Sequence, residues 1–244
     1  MTSPSRRVRR AADLAALLFA LVFPSVLTWA YFVALRHSPA ALQQTAYGIG
    51  KTIQFVLPVF WVLAIQRRRP SRSRPSASGL VEGLLFGLTV FALALALYHT
   101  WLKPAGLFQA VGEKIEAKIV NFGIRGLGAY LVLAAFYSLI HSFLEEYYWR
   151  WFVFGQLRNL IPWPAAIGVS SLAFMAHHVI LLATYLGWSS PAAYLFSLGV
   201  AVGGAYWAWL YHRSRSLYGP WLSHLLIDAA IFAIGYDLVR PMLR

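Results

Sequence analysis

The chain has 244 residues, of which 59% are hydrophobic, 16% aromatic and only 12% charged; soluble domains have about a quarter charged residues, so this composition excludes an ordinary soluble protein. The complete lack of cysteine excludes disulfides, thiolate catalysis and cysteine-ligated metal sites. A net charge of +13 in so apolar a chain favours basic loops facing anionic lipid, and nucleic acid binding is the weaker interpretation.

Seven apolar runs are long enough to cross a bilayer. A hydrocarbon core of about 30 Å takes about 20 helical residues. Runs of that length, bounded by charge, proline or glycine, cover about residues 12–35, 47–66, 79–101, 128–157, 163–186, 192–211 and 217–239. The predicted fold is therefore all-α, a polytopic transmembrane helix bundle of about seven to eight spans.

The predicted organisation is a single membrane domain over residues 1–244. Residues 1–127 hold three spans and a segment at about 107–122, where charged and apolar residues alternate with a helical period typical of a membrane-surface connector. Residues 128–239 form a second part that carries the polar motifs described below. In the sixth run, Gly199, Gly203 and Gly204 favour a close approach of helices.

Basic residues predict the orientation, because cytoplasmic loops are enriched in Lys and Arg. With the amino terminus inside, the inner side holds Arg6, Arg7, Arg9, Arg10, Arg67, Arg68, Arg69, Arg72, Arg74, Arg158, Arg213 and Arg215. The outer side holds the shorter set Arg36, Lys51, Lys103, Lys114, Lys118, Arg125, Arg240 and Arg244. We therefore expect a cytoplasmic amino terminus.

The fourth run contains the charged sequence EEYYWR at residues 145–150. Each isolated charge costs about 2.5 to 3.5 kcal/mol at a bilayer centre, which favours a functional site over chance placement. Glu146 and Arg150 are four residues apart and are predicted to form an ion pair. Glu145 points about 100° away and is the candidate acid or base. His141 lies one turn earlier on the face of Glu145.

Two later spans carry further polar side chains. His177 and His178 are adjacent in the fifth run, and His224 precedes Asp228 by one helical turn in the seventh. A lone histidine in an apolar helix is usually a hydrogen-bonded core residue, but adjacent histidines opposite two carboxylates favour a shared site. At about 1.5 Å per residue, most of these groups fall near mid-membrane.

These motifs, in this order, resemble the glutamate-type CAAX protease and bacteriocin-processing family. That family, also called CPBP or Abi, includes the Ras-converting prenyl endopeptidase. The resemblance rests on EEYYWR, on Phe174 followed four residues later by His178, and on His224 followed by Asp228. It implies a membrane-embedded endopeptidase of the hydrolase class that needs no cofactor, acts on peptide or protein substrates, including lipidated or membrane-tethered ones, and resides in a bacterial inner membrane.

The resemblance also implies roles for individual residues. Glu145 resembles the catalytic glutamate that activates water together with His178, and Glu146 and Arg150 complete the first motif as supporting residues. His177 is the alternative to His178, because it also follows a small residue.

In the third motif, His224 resembles the residue that stabilises the oxyanion. Asp228 occupies a position where the family commonly has Asn. Asn can donate a hydrogen bond to an oxyanion, whereas an ionised Asp cannot. Asp228 is therefore either protonated or orients His224.

Other functions remain open from the sequence. Glu145, His178 and His224 could instead hold a catalytic zinc ion, although the chain has no HEXXH motif. A proton-coupled transporter or a non-catalytic membrane protein could use the same polar cluster as a relay, although no inverted repeat is visible. We rank the metal-free protease first.

Overall fold

The computed structural model describes residues 6–69 and 73–243, and in that part of the chain it contains eight helices and no strand. Seven of the helices are long and apolar enough to cross a membrane. In chain order the helices are α1 (Arg10–Ala34, helical from Arg6), α2 (Ala40–Ile65), α3 (Ala77–Leu102), α4 (Gln109–Asn121), α5 (Gly126–Leu157), α6 (Trp163–Leu186), α7 (Pro191–Ser214) and α8 (Tyr218–Leu243). The predicted all-α membrane bundle is confirmed.

Helix α2 begins earlier than the sequence predicts. Pro39 lies directly before its first residue, Ala40, and Gln43 Nε2 donates to the carbonyl oxygens of Leu35 at 2.7 Å and Ser38 at 3.0 Å, which ties the preceding turn to the helix. Lys51 lies well inside this span, although the sequence analysis counted it with the outer basic residues, so that count was wrong by one.

Some of the basic residues used for the orientation cannot be checked against the fold. Arg72 and Arg244 lie outside the described residues, and the side chains of Arg6, Arg7 and Arg9 are not described. The predicted cytoplasmic amino terminus therefore stays a prediction.

Helix α5 alternates between α-helical and π-helical geometry. Two π-helical stretches, Phe136–His141 and Tyr147–Phe154, flank the short α-helical segment Ser142–Glu146. Ser142 Oγ donates to the carbonyl oxygen of Ser138 within the first stretch. Because π-helical turns are rare and occur often at functional sites, this geometry singles out the segment with both glutamates.

The bundle is arranged around α5, which contacts α6, α7 and α8, while α3 packs along α8 and α6 along α7. The interior next to α5 is aromatic and includes Tyr148, Trp149, Phe152, Phe154, Phe174 and Trp207. Large apolar side chains such as Leu18, Leu85, Val132 and Leu195 are exposed on the outside. An apolar exterior around a partly polar interior fits a protein surrounded by lipid.

Helix α3 approaches α8 very closely. A Cβ atom added to Gly83 would lie 2.2 Å from the carbonyl oxygen of Gly219, so backbone meets backbone there. The glycines predicted for α7 contribute less: a Cβ on Gly204 would lie 3.2 Å from Phe174, and Gly199 has nothing within 4 Å. Small residues of α3 thus allow close packing against α8, the helix that carries His224.

The connector predicted at 107–122 is helix α4. Its Lys114 Nζ donates to the carbonyl oxygens of Thr184 at 3.0 Å and Tyr185 at 2.9 Å, at the carboxyl end of α6. Lys118 Nζ lies 4.0 Å from the centroid of the Tyr31 ring. Partial burial lowers the pKa of Lys118. These contacts attach α4 to the ends of α1 and α6.

Candidate active site

Glu145 lies at the centre of a group of histidines in the middle of the bundle. Its side chain is 4% exposed. The Nε2 atoms of His141 and His177 lie 3.9 and 3.8 Å from Glu145 Oε1, and His224 Nε2 lies 3.9 Å from Oε2. These distances exceed those of direct hydrogen bonds, but charges interact strongly at this range in a buried site. Helices α5, α6 and α8 thus each supply an imidazole to one carboxylate.

Glu146 is fully buried and contacts the side chains of Arg150 and His224. Arg150 Nε donates to Glu146 Oε2 at 3.0 Å, and Arg150 Nη2 lies 3.4 Å from Oε1. This is the ion pair that the spacing in EEYYWR predicts. His224 Nδ1 also lies 2.9 Å from Glu146 Oε1, a hydrogen bond that the sequence did not indicate. Since an ionised carboxylate only accepts, Nδ1 carries the proton and Nε2 is directed towards Glu145.

Aromatic rings enclose this ion pair. The guanidinium carbon of Arg150 lies 4.9 Å from the Phe174 ring centroid and 5.4 Å from that of Trp207. Trp207 stacks on His224 with centroids 4.2 Å apart and planes 15° apart, and its Nε1 donates to Ser223 Oγ at 2.9 Å. Sequence reasoning missed Trp207, because nothing distinguishes it from the other tryptophans of the chain.

The two adjacent histidines of α6 have different surroundings. His177 is buried, faces Glu145 and stacks on Trp149 with planes 6° apart. His178 Nδ1 lies 2.9 Å from the carbonyl oxygen of Phe174, and its ring centroid is 4.2 Å from that of His177. The contact geometry therefore favours His177 as the partner of Glu145, whereas the sequence analysis preferred His178 and left His177 as the alternative.

Asp228 lies one turn from His224, as expected, but does not hold its imidazole. Asp228 Oδ1 is 3.7 Å from His224 Nε2, longer than a hydrogen bond. The carboxylate that orients the ring is Glu146, through Nδ1. Of the two alternatives for Asp228, orienting His224 by a direct hydrogen bond is not seen.

Helix α2 completes the surroundings of the site. The ring of Phe55 meets His141 edge to face, with centroids 6.1 Å apart. Lys51, one turn earlier, has its Nζ 5.3 Å from the Phe55 centroid. Sequence reasoning missed both residues, because it counted Lys51 only as an outer basic residue and had no means to orient α2 towards α5.

Glu145 is a buried carboxylate surrounded by imidazoles. One of these imidazoles, that of His224, is held in one orientation by a second carboxylate, Glu146. Such a set can take a proton from water and donate a hydrogen bond to a developing oxyanion. Among residues 6–69 and 73–243, no group of three His, Asp or Glu side chains is arranged to hold a metal ion.

Comparison with known proteins gives one match. The family model described as Rce1-like, type II CAAX prenyl endopeptidase, matches residues 127–230. All candidate site residues from His141 to Asp228 lie within this segment, while Lys51 lies outside it. No curated protein and no solved structure matches the chain.

Proposed function

We propose that this membrane protein is a protease that cleaves peptide bonds with Glu145 as its general base, because the model of Rce1-like type II CAAX prenyl endopeptidases matches residues 127–230. The observation that carries the proposal is the enclosure of one buried carboxylate by His141, His177 and His224, each within 3.9 Å. A carboxylate held among imidazoles in a water-poor interior is suited to exchanging protons with a bound water.

In the proposed reaction, a water molecule lies between Glu145 and His177. Glu145 takes a proton from the water as its oxygen attacks the carbonyl carbon of the scissile peptide bond. The carbon–nitrogen bond of the resulting tetrahedral intermediate then breaks, and Glu145 returns the proton to the leaving amine. His177 and the adjacent His178 hold the water in position.

His224 is proposed to stabilise the oxyanion. Its Nδ1–H is fixed by Glu146, so its Nε2 must carry a second proton to donate to the substrate oxygen. The nearest carboxylate to Nε2 besides Asp228 is Glu145, whose Oε2 lies 3.9 Å from it. Arg150, paired with Glu146, maintains the orientation of the whole set.

The substrates are peptides or proteins with a cleavage site near the membrane, and we propose that they include prenylated or otherwise lipid-tethered chains. A buried site in a helix bundle is reached most directly by a substrate already anchored in the bilayer. We further propose a cytoplasmic amino terminus, from the distribution of basic residues, and a bacterial inner membrane location, from the family resemblance and the Arg-rich, cysteine-free composition.

The test is cleavage of a farnesylated CAAX peptide by the purified protein in proteoliposomes, measured by mass spectrometry. We expect Glu145→Gln to fold normally and to lose activity by about 1,000-fold, within the range for removing a general base. Glu113→Gln, an exposed acid of α4, is the matched control and should keep activity. Cleavage by Glu145→Gln at the wild-type rate would exclude the proposed base.

A membrane peptidome from cells that carry wild-type protein or Glu145→Gln protein would identify the natural substrate as the chain that accumulates uncleaved. The same purified assay after dialysis against EDTA tests the zinc-dependent alternative, and we expect unchanged activity. Loss of activity that returns on addition of zinc would favour that alternative.

A further inference from the structure

Lys51 is a cation in the middle of a membrane-spanning helix. It is the eleventh residue after Ala40, which places it about 16 Å along α2. Its Nζ lies 5.5 Å from the centroid of the Tyr47 ring and 5.3 Å from that of Phe55. Rings on both sides thus hold the ammonium group in place.

Within residues 6–69 and 73–243, no carboxylate oxygen lies within 4.0 Å of Lys51 Nζ, and Lys51 makes no side-chain hydrogen bond. The other cation of the site, Arg150, has a full partner in Glu146. A charge at the bilayer centre costs about 2.5 to 3.5 kcal/mol, and such charges usually pair or mark the path of a substrate. Lys51 therefore needs an anion that the described part of the chain does not supply.

The anion would lie close to the proposed reaction centre. Phe55 lies between Lys51 and His141, and His141 Nε2 is 3.9 Å from Glu145. Contacts through Phe55 and His141 thus connect Lys51 of α2 with Glu145 of α5.

Tyrosines continue this chain of contacts towards the end of the bundle where α1 ends and α2 begins. Tyr137 lies against His141 with centroids 4.9 Å apart, and Tyr31 lies against Tyr47 with centroids 4.5 Å apart. Tyr31 also lines a cavity of about 260 Å³ at that end. Towards the opposite end, the interior after Glu146 is filled by fully buried aromatic side chains such as Tyr148 and Trp149. The side of Glu145 on which Lys51 lies is therefore less tightly filled by buried rings than the opposite side.

We propose that Lys51 binds the terminal carboxylate of the peptide substrate and so makes the protease selective for bonds near a free carboxyl terminus. Every peptide has one such carboxylate whatever its sequence, and an ammonium group partly removed from water pairs well with it. This inference rests on the proposed protease function, because it assigns the peptide that occupies that site.

The test measures binding separately from cleavage. A fluorescent farnesylated CAAX peptide is prepared with a free carboxyl terminus and with a terminal amide, and anisotropy gives both affinities in phosphatidylcholine nanodiscs. All proteins carry Glu145→Gln so that the peptides stay intact. We expect the parent protein to prefer the carboxylate about tenfold, the gain from one charge-assisted contact. Lys51→Met should bring the ratio of affinities near one, and Lys51→Arg should restore it.

Thr52→Val is the matched control. Thr52 follows Lys51 in the chain, is exposed, and donates only to Gly48 O of its own helix at 2.9 Å. Equal binding of both peptides by the parent protein, or a preference that survives Lys51→Met, would overturn the assignment. A preference that disappears when the nanodiscs contain phosphatidylglycerol would also overturn the assignment, because Lys51 would then hold a lipid phosphate. Failure of wild-type protein to cleave the peptide would refute the protease function but leave the affinity ratio readable.

Discussion

His224 Nδ1 donates to Glu146 Oε1 at 2.9 Å, and this contact links the first and third motifs of the site. Because the same carboxylate also pairs with Arg150, Glu146 fixes an imidazole and neutralises a buried cation at once. The residue next to the proposed base is thus the one that orients the proposed oxyanion donor.

Glu146→Gln should damage both stability and activity. Removing one partner leaves Arg150 as an uncompensated buried charge, at a cost of about 3 to 5 kcal/mol. We expect a clear fall in thermal unfolding temperature in detergent, together with loss of cleavage. The double variant Glu146→Gln/Arg150→Met should regain stability without regaining activity, since His224 still lacks its carboxylate. A double variant no more stable than the single one would argue against this account.

His177→Ala should reduce kcat more than His178→Ala. His177 faces Glu145 at 3.8 Å, whereas His178 Nδ1 is occupied by the carbonyl oxygen of Phe174. Losing a residue that positions the attacking water should lower kcat by about 100-fold or more, with little change in KM. Both variants are compared with wild type at equal amounts of folded protein. The opposite order of effects would return His178 to the role that the motif spacing indicates.

Asp228→Asn should keep activity within a few-fold of wild type or raise it. Its carboxylate lies 3.7 Å from His224 Nε2 and does not orient that ring, so an amide can replace it and can donate to an oxyanion. Asp228→Ala, which removes both possibilities, should lower kcat/KM by about tenfold, in proportion to one lost hydrogen bond. Equal losses in the two variants would mean that the charge of Asp228 is required.

Gly83→Ala should destabilise the fold although Gly83 lies outside the matched segment. The added methyl group would lie 2.2 Å from the backbone of Gly219, and overpacking of this kind costs about 1 to 3 kcal/mol. Gly168→Ala on α6, where nothing lies within 4 Å, is the control and should be neutral or slightly stabilising. The two variants are compared by their thermal unfolding temperatures in detergent. Equal stability of the two variants would mean that α3 and α8 separate without cost.

The cysteine-free chain makes the orientation directly measurable. Single cysteines at Ser189, between α6 and α7, and at Asn159, between α5 and α6, lie at opposite ends of the bundle. With a cytoplasmic amino terminus, a membrane-impermeant maleimide should label Ser189→Cys in intact cells and Asn159→Cys only after lysis. The reverse labelling pattern would invert the predicted topology.

The features predictable from sequence are those set by local spacing. Hydropathy located the spans, and the four-residue separation of Glu146 and Arg150 predicted their ion pair. The choice between His177 and His178 depends on how α6 is rotated about its axis, which is decided by packing against Trp149 and Phe174. Lys51 was counted near the outer end of its predicted run, but it lies deeper in the span because α2 begins at Ala40, after a turn tied by Gln43. Rotation and capping of this kind follow from tertiary contacts that periodicity does not encode.

The π-helical stretches on either side of Ser142–Glu146 have a consequence for how this site can vary. A π-helical turn holds about one residue more than an α-helical turn, so each stretch contains more residues than a regular α-helix of the same length would need. Loss of one residue from Phe136–His141 could be absorbed by tightening that stretch, with both ends of α5 still at the membrane surfaces. Loss of a second residue from the same stretch would not be absorbed in this way, and the glutamates would then face a different neighbour. The direction in which Glu145 points is therefore encoded by the number of residues before and after it as much as by their identity.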